Sequence, residues 1–165
     1  MKISSIPFQG KPENYAEIDN FVSRSAQPMK EDFVWLKENG VTDVINFRTM
    51  VVAGLDFDEK SIVESLGMNY HNIPSITKEP KEQNIIDFLN LINTVKNNNG
   101  KAHIHCMAGA DRTGMYAFIY KTLNGLGTIS DNIAEWIKRG HDTKLYPNLI
   151  ARAKEFAEKL KLHNP

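Results

Sequence analysis

The segment from Thr113 to Leu123 constrains this chain more than any other. Met115, Tyr116, Ala117, Phe118, Ile119 and Tyr120 follow one another in it, so a helix here is apolar on nearly every side. Such a helix has to be the inner helix of a layered fold, covered around its whole girth by other elements. A compact strand, Lys101-Ala102-His103-Ile104-His105, comes just before it, and a tight loop joins the two.

The remaining segments supply the cover. Lys30 to Asn39 spaces Phe33, Val34 and Leu36 for a helix that Gly40 stops, and Val41 to Phe47 reads as a strand. Asp58 to Leu66 is a second helix closed by Gly67, followed by a strand from Met68 to Ile73. Pro80 to Val95 carries Ile85, Phe88, Leu89, Ile92 and Val95 at helical spacing, and Gly100 ends it. Two more helices are expected, over Asp131–Arg139 and Asn148–Leu160. Pro7, Gly10 and Pro12 break regular structure near the start. The expected organisation is therefore an irregular N-terminal segment, 1–20, and a single domain over 21–165. Strands alternating with helices predict an α/β fold with a central, mostly parallel sheet flanked by helices. The ligand site of such a sheet lies beyond the carboxyl ends of its strands, which singles out the loop after 101–105.

Composition narrows the partners. Lys and Arg total 20, as do Asp and Glu, so the net charge is zero and neither nucleic acid nor an anionic membrane is an expected partner. Cys106 is the only cysteine, which excludes an internal disulfide and points to a reducing, cytoplasmic setting. Met1 to Gly10 lacks the apolar stretch of a leader, and no apolar run nears the roughly 18 residues of a membrane span. His71, His103 and His141 share no metal-ligand spacing and read as a rim, a core-strand and a surface histidine. No metal or cofactor is expected, and a monomer is.

The loop reads His105-Cys106-Met107-Ala108-Gly109-Ala110-Asp111-Arg112-Thr113-Gly114. Amides of Met107, Ala108, Gly109 and Ala110, together with the free N–H groups of the helix that follows, can converge on one anion. Gly109 permits the backbone turn this needs. Arg112 adds a planar fork matched to two phosphate oxygens. Cys106 at the centre of that positive concavity is expected to be a thiolate, able to attack a bound phosphate monoester and form a phosphocysteine. Thr113 is placed to donate its hydroxyl to the sulfur, and His105 to tie the loop down by hydrogen bonds.

These residues resemble the cysteine-dependent protein tyrosine phosphatase superfamily, with its His-Cys-x5-Arg-Ser/Thr loop, and most of all its small dual-specificity-like bacterial branch. Ser23-Arg24-Ser25-Ala26-Gln27-Pro28, Gly40 to Arg48 and Tyr70-His71-Asn72-Ile73-Pro74 extend the likeness over about residues 20–125. The resemblance implies a phosphomonoester hydrolase of the protein tyrosine or dual-specificity type. It also implies a general-acid Asp some 30 residues before the cysteine, but Ile73 to Pro80 holds only Glu79. Asp111, inside the loop, is the preferred acid, as in relatives with Asp before the Arg; the alternative is that it caps the helix or pairs with Arg48. Asp56 and Asp58 are more remote candidates. Arg48, at the end of its strand, is read as a substrate or loop contact, against an ordinary surface ion pair. Arg24 is read as structural. Phosphoinositide-specific relatives carry lysines in the loop where Met107 and Ala110 stand here, so a phosphorylated protein or small monophosphate ester is the expected substrate. Inositol phosphates stay open through Lys78, Lys81 or Lys144, and a phosphate-binding module without turnover is the non-enzymatic alternative.

Overall fold

Side chains alternate across a strand, so a central strand of a covered sheet can serve two cores at once. The computed structural model describes residues 10–163. Its strands are β1 (Ala16–Glu17), β2 (Val22–Ser25), β3 (Asp43–Asn46), β4 (Asn69–Asn72) and β5 (Ala102–His105). They form one sheet in the order β1-β2-β5-β3-β4, parallel except for the β1–β2 pair. In β5, Ala102 and Ile104 face one core, while His103 stacks on Tyr15 on the opposite side. The first core belongs to α3 (Glu82–Asn97), α4 (Asp111–Leu123), α5 (Ile129–Lys138) and α6 (Leu149–His163). The second is smaller, with Phe33, Leu36, Val41, Val44, Val63 and Met68 under α1 (Lys30–Glu38) and α2 (Glu59–Ser65).

The central helix is α4, where every residue from Thr113 to Tyr120 is buried. Tyr116 lies flat against Phe47 at 3.8 Å and meets Phe88 edge-on, which fixes α4 both to the residue that follows β3 and to α3. The helix begins at Asp111, two residues before the apolar run that signalled it, because an acidic first turn suits a helix start but carries no hydrophobic period. The expected strands are each trimmed to their four paired residues.

The expectation of an irregular segment over 1–20 needs correcting in its described part. Ala16 and Glu17 pair with Arg24 and Ser23, and Asp19 Oδ1 accepts from the amides of Phe21 and Val22 to close the turn. A two-residue strand has no periodicity to detect, so only the breakers before it were visible. Tyr15 packs edge-on against Trp35 at 5.1 Å, which joins this stretch to the domain. Residues 1–9 of the same expectation lie outside the described residues. Among the described residues no helix is long and apolar enough to cross a membrane.

Candidate active site

The loop from Cys106 to Arg112 leaves the carboxyl end of β5 and enters α4, in the middle of the sheet. Its backbone is held from outside, carbonyl by carbonyl. Cys106 O accepts from His105 Nδ1 at 3.0 Å, and Met107 O from the amide of Gln27 at 2.9 Å. Ala108 O accepts from Asn14 Nδ2 at 3.3 Å, and Gly109 O from Arg24 Nη2 at 2.8 Å. Ala110 O accepts from the indole of Trp136 at 3.0 Å. With its carbonyls turned outward, the loop has its amides left over, and those of Met107, Ala108, Gly109 and Ala110 donate to no acceptor among the described residues. Gly109 makes the turn possible with φ +70°, and a Cβ there would stand 2.5 Å from Ala26 N.

Cys106, the first residue of this loop, is buried and its thiol is free. Arg112 directs Nη1 toward Phe47 O and Ser75 O, both at 3.4 Å, long contacts that orient the guanidinium and leave its other donors uncommitted. Thr113 is fully buried, yet its Oγ1 has no hydrogen-bond partner among the described residues. The bond from Thr113 to the sulfur expected from the sequence is therefore absent here.

Behind the loop runs a buried polar chain. His105 Nε2 lies 2.7 Å from Glu59 Oε2, and Gln27 Nε2 donates to Glu59 Oε1 at 2.6 Å. Arg48 Nη1 donates to Gln27 Oε1 at 2.8 Å, and its Nη2 to Ala53 O at 2.6 Å. Arg48 is thus buried and bonded to protein oxygens, and no carboxylate pairs with it among the described residues. Neither the surface ion pair nor an exposed substrate contact describes its place, because the turn after β3 folds over it. Arg24 is buried too; desolvation, with Arg139 nearby, pushes its pKa down to about 10, which leaves it charged at neutral pH.

Asp111 neither caps α4 nor meets Arg48. Its Oδ1 accepts from His141 Nδ1 at 2.7 Å and from the amide of Asp142 at 2.9 Å. His141 is buried and stacks on Trp136 at 4.5 Å, which corrects its reading as a surface histidine. Gly140, with φ +112°, turns the chain inward after α5, and a polar Gly-His-Asp turn gives no sign of that in sequence. His103 is the buried core-strand histidine expected, and His71 pairs with Asp43 at 2.9 Å. Glu79 is exposed, and Asp58 caps α2 through Ser61 N. Asn14, Gln27, Glu59 and Trp136 were given no role from sequence; only Gln27 lay within a motif that marked it.

Several exposed apolar side chains stand on the loops at this end of the sheet: Met50 and Val52 after β3, Ile76 after β4, Leu145 before α6 and Met107 in the loop itself. A groove of about 490 Å³ opens between Thr77–Pro80 and Leu145–Arg152. Its walls continue the two loops that hold the site, one touching Arg112 through Ser75 and the other Asp111 through Asp142.

A family profile described as Tc-R-P, polymorphic toxin system, DSP-PTPase phosphatase, matches residues 20–125. No curated protein matches the sequence. Among solved structures, the chain is similar to a DUF442 phosphatase of Shewanella putrefaciens at 24% identity, with 96% of this chain and 98% of that one covered and a TM-score of 0.76. A cysteine-to-serine form of P. aeruginosa TpbA in complex with pTyr is similar at 16% identity, with coverage of 91% and 89% and a TM-score of 0.75. The core catalytic domain of the PP-IP phosphatase SIW14 from S. cerevisiae is similar at 17% identity, with coverage of 91% and 94% and a TM-score of 0.70. These three share the fold, and the profile spans the loop, its flanking elements and well over half of the chain; the chain belongs to the DSP-PTPase phosphatase family of polymorphic toxin systems, and is a cysteine-based phosphomonoester hydrolase.

Proposed function

We propose that the chain removes phosphate from monoesters of phosphorylated proteins through a phosphocysteine on Cys106. The substrate phosphate sits in the ring of amides, with two of its oxygens on the fork of Arg112. The sulfur of Cys106 attacks phosphorus; the S–P bond forms as the ester P–O bond breaks, and the leaving oxygen takes a proton from Asp111. Water then attacks phosphorus, the S–P bond breaks, and the water proton returns to Asp111. Amides and guanidinium hold the charge on the transferring group throughout, so the protein acts mainly by position and neutralisation. In this reading Arg48 and His105 keep the loop in shape rather than touch substrate.

The observation that carries the reading is the bonding of the carbonyls from Cys106 to Ala110 to groups outside the loop, which leaves the intervening amides uncommitted and able to take an anion. A polypeptide substrate is favoured by the apolar side chains around the site and by the groove that runs on from it. Lys78 on that groove keeps an inositol phosphate as a second reading. A monomer in a reducing compartment such as the cytoplasm suits a single catalytic thiol. The test is phosphate release from para-nitrophenyl phosphate, phosphopeptides and inositol phosphates by wild type and Cys106→Ser. Loss of all release in the variant, with phosphopeptides turned over faster than inositol phosphates, is expected. Release that survives Cys106→Ser overturns the mechanism, and a preference for inositol phosphates overturns the substrate class.

A further inference from the structure

We propose that His141 is a positioning residue that sorts the two carboxyl oxygens of Asp111, holding Oδ1 so that the transferable proton rides on Oδ2. The inference rests on the reading of Asp111 as the general acid. Oδ1 takes two donors, His141 Nδ1 at 2.7 Å and the amide of Asp142 at 2.9 Å, whereas Oδ2 bonds to no described residue. The Asp111 side chain keeps 24% exposure while the His141 side chain has none, so the carboxyl group stays accessible although its anchor is buried. An oxygen that already accepts two N–H bonds is a poor seat for a proton, because an O–H there would have to displace a donor. The acid therefore takes the form C=Oδ1 bonded inward and Oδ2–H outward. After the proton leaves for the ester oxygen, the same two donors stabilise the carboxylate that remains.

The rest of the arrangement keeps His141 in one orientation. Its ring stacks on Trp136, whose indole N–H holds Ala110 O, the carbonyl just before Asp111. A Cβ added to Gly140 would stand 3.3 Å from Ala110 Cβ, so a side chain there would crowd the loop. Asp142 Oδ1 accepts from the amides of Lys144 and Leu145, which fixes the turn that presents the Asp142 N–H. Nε2 of His141 is buried without a partner among the described residues. Nδ1 is thus the only ring nitrogen with a bonded role, and its partner is the acid.

The test compares His141→Asn with His141→Gln, two neutral amides that fill the site. Only Asn places an N–H where Nδ1 stands; Gln reaches toward Nε2 instead. Both are assayed, beside Asp111→Asn, on para-nitrophenyl phosphate, whose good leaving group needs little acid, and on phenyl phosphate, whose poor one does. Asp111→Asn is expected to cost on the order of a hundredfold in kcat on phenyl phosphate and far less on the nitrophenyl ester. His141→Gln is expected to show the same selective loss at roughly tenfold or more, and His141→Asn to restore most of it. If Asp111→Asn is selective but Asn and Gln behave alike at His141, the positioning role is wrong. If Asp111→Asn shows no leaving-group selectivity, the acid is another group and the inference falls with it.

Discussion

At Gly109 one missing carbon atom decides whether the ring of amides exists. The residue has φ +70°, and a Cβ would meet the backbone of Ser25 and Ala26 at 2.5–2.6 Å, where β2 ends. Neither neighbour is a side-chain tip that could swing aside. Gly109→Ala is therefore expected to lower stability by roughly 1–3 kcal/mol and to abolish most phosphate release, read by thermal melting and by turnover of para-nitrophenyl phosphate. Glu59 is the second single residue on which the loop depends. Truncating it to Ala leaves His105 Nε2 and Gln27 Nε2 without their acceptor in a fully dry place. A loss of about 3–5 kcal/mol is expected in denaturant unfolding. Glu59→Gln, which keeps the shape but not the charge, should lose less.

At the scale of elements, α4 and α5 meet where Gly114 faces Trp136. A Cβ on Gly114 would fall 2.1 Å from Trp136 Cδ1, so the indole of α5 lies directly against the backbone of α4. Gly114→Ala forces the indole away, and with it the donor to Ala110 O. Trp136→Phe removes that donor while keeping most of the ring. It is expected to cost about 1–2 kcal/mol of stability and a larger share of activity than stability, checked by melting and kcat side by side. This pairing also marks the limit of what could be read from the chain. The apolar run of α4, the trimmed strands around it and the spacing Cys106–Gly109–Arg112 are local patterns, visible within a few residues. The groups that hold them, Asn14, Glu59, Trp136 and His141, act as single side chains from distant segments. A lone Glu at the start of a helix or a lone Trp in an amphipathic one looks the same whether it meets solvent, core or a catalytic loop. His141, in a polar turn after a glycine, was read as surface for that reason, and Arg48 was expected at the rim because the turn that buries it has no pattern of its own.

Across the whole molecule, the histidine at the centre of the sheet sets a response to acid. Burial, with His105 and Lys101 nearby, pushes the pKa of His103 well below the ordinary 6.5. Ser25 Oγ donates to Ala26 O, so it accepts from His103 Nε2–H, and Nδ1 accepts from Ser23 Oγ; both ring nitrogens are satisfied in the neutral form. The unfolded chain takes up a proton near pH 6.5 where the folded one does not, so unfolding is favoured as pH falls through that value. Stability from this group is complete above pH 6.5 and declines below it, by at most about 1.4 kcal/mol per pH unit until the folded pKa is reached. Melting temperature against pH should show the decline in wild type and a flatter curve in His103→Gln.

The two sides of the sheet are unequal, and the catalytic loop leans on the weaker one. Glu59 starts α2 and Gln27 precedes α1, while the apolar side chains beneath those helices are far fewer than those around α4. Opening that thin layer exposes little hydrocarbon and so costs less than undoing the thick one. Warming should then silence catalysis several degrees before the tyrosines of α4 report melting, with amides of α2 exchanging their hydrogens ahead of those in α4. A catalyst built this way is switched off by local loosening while most of its body is still standing.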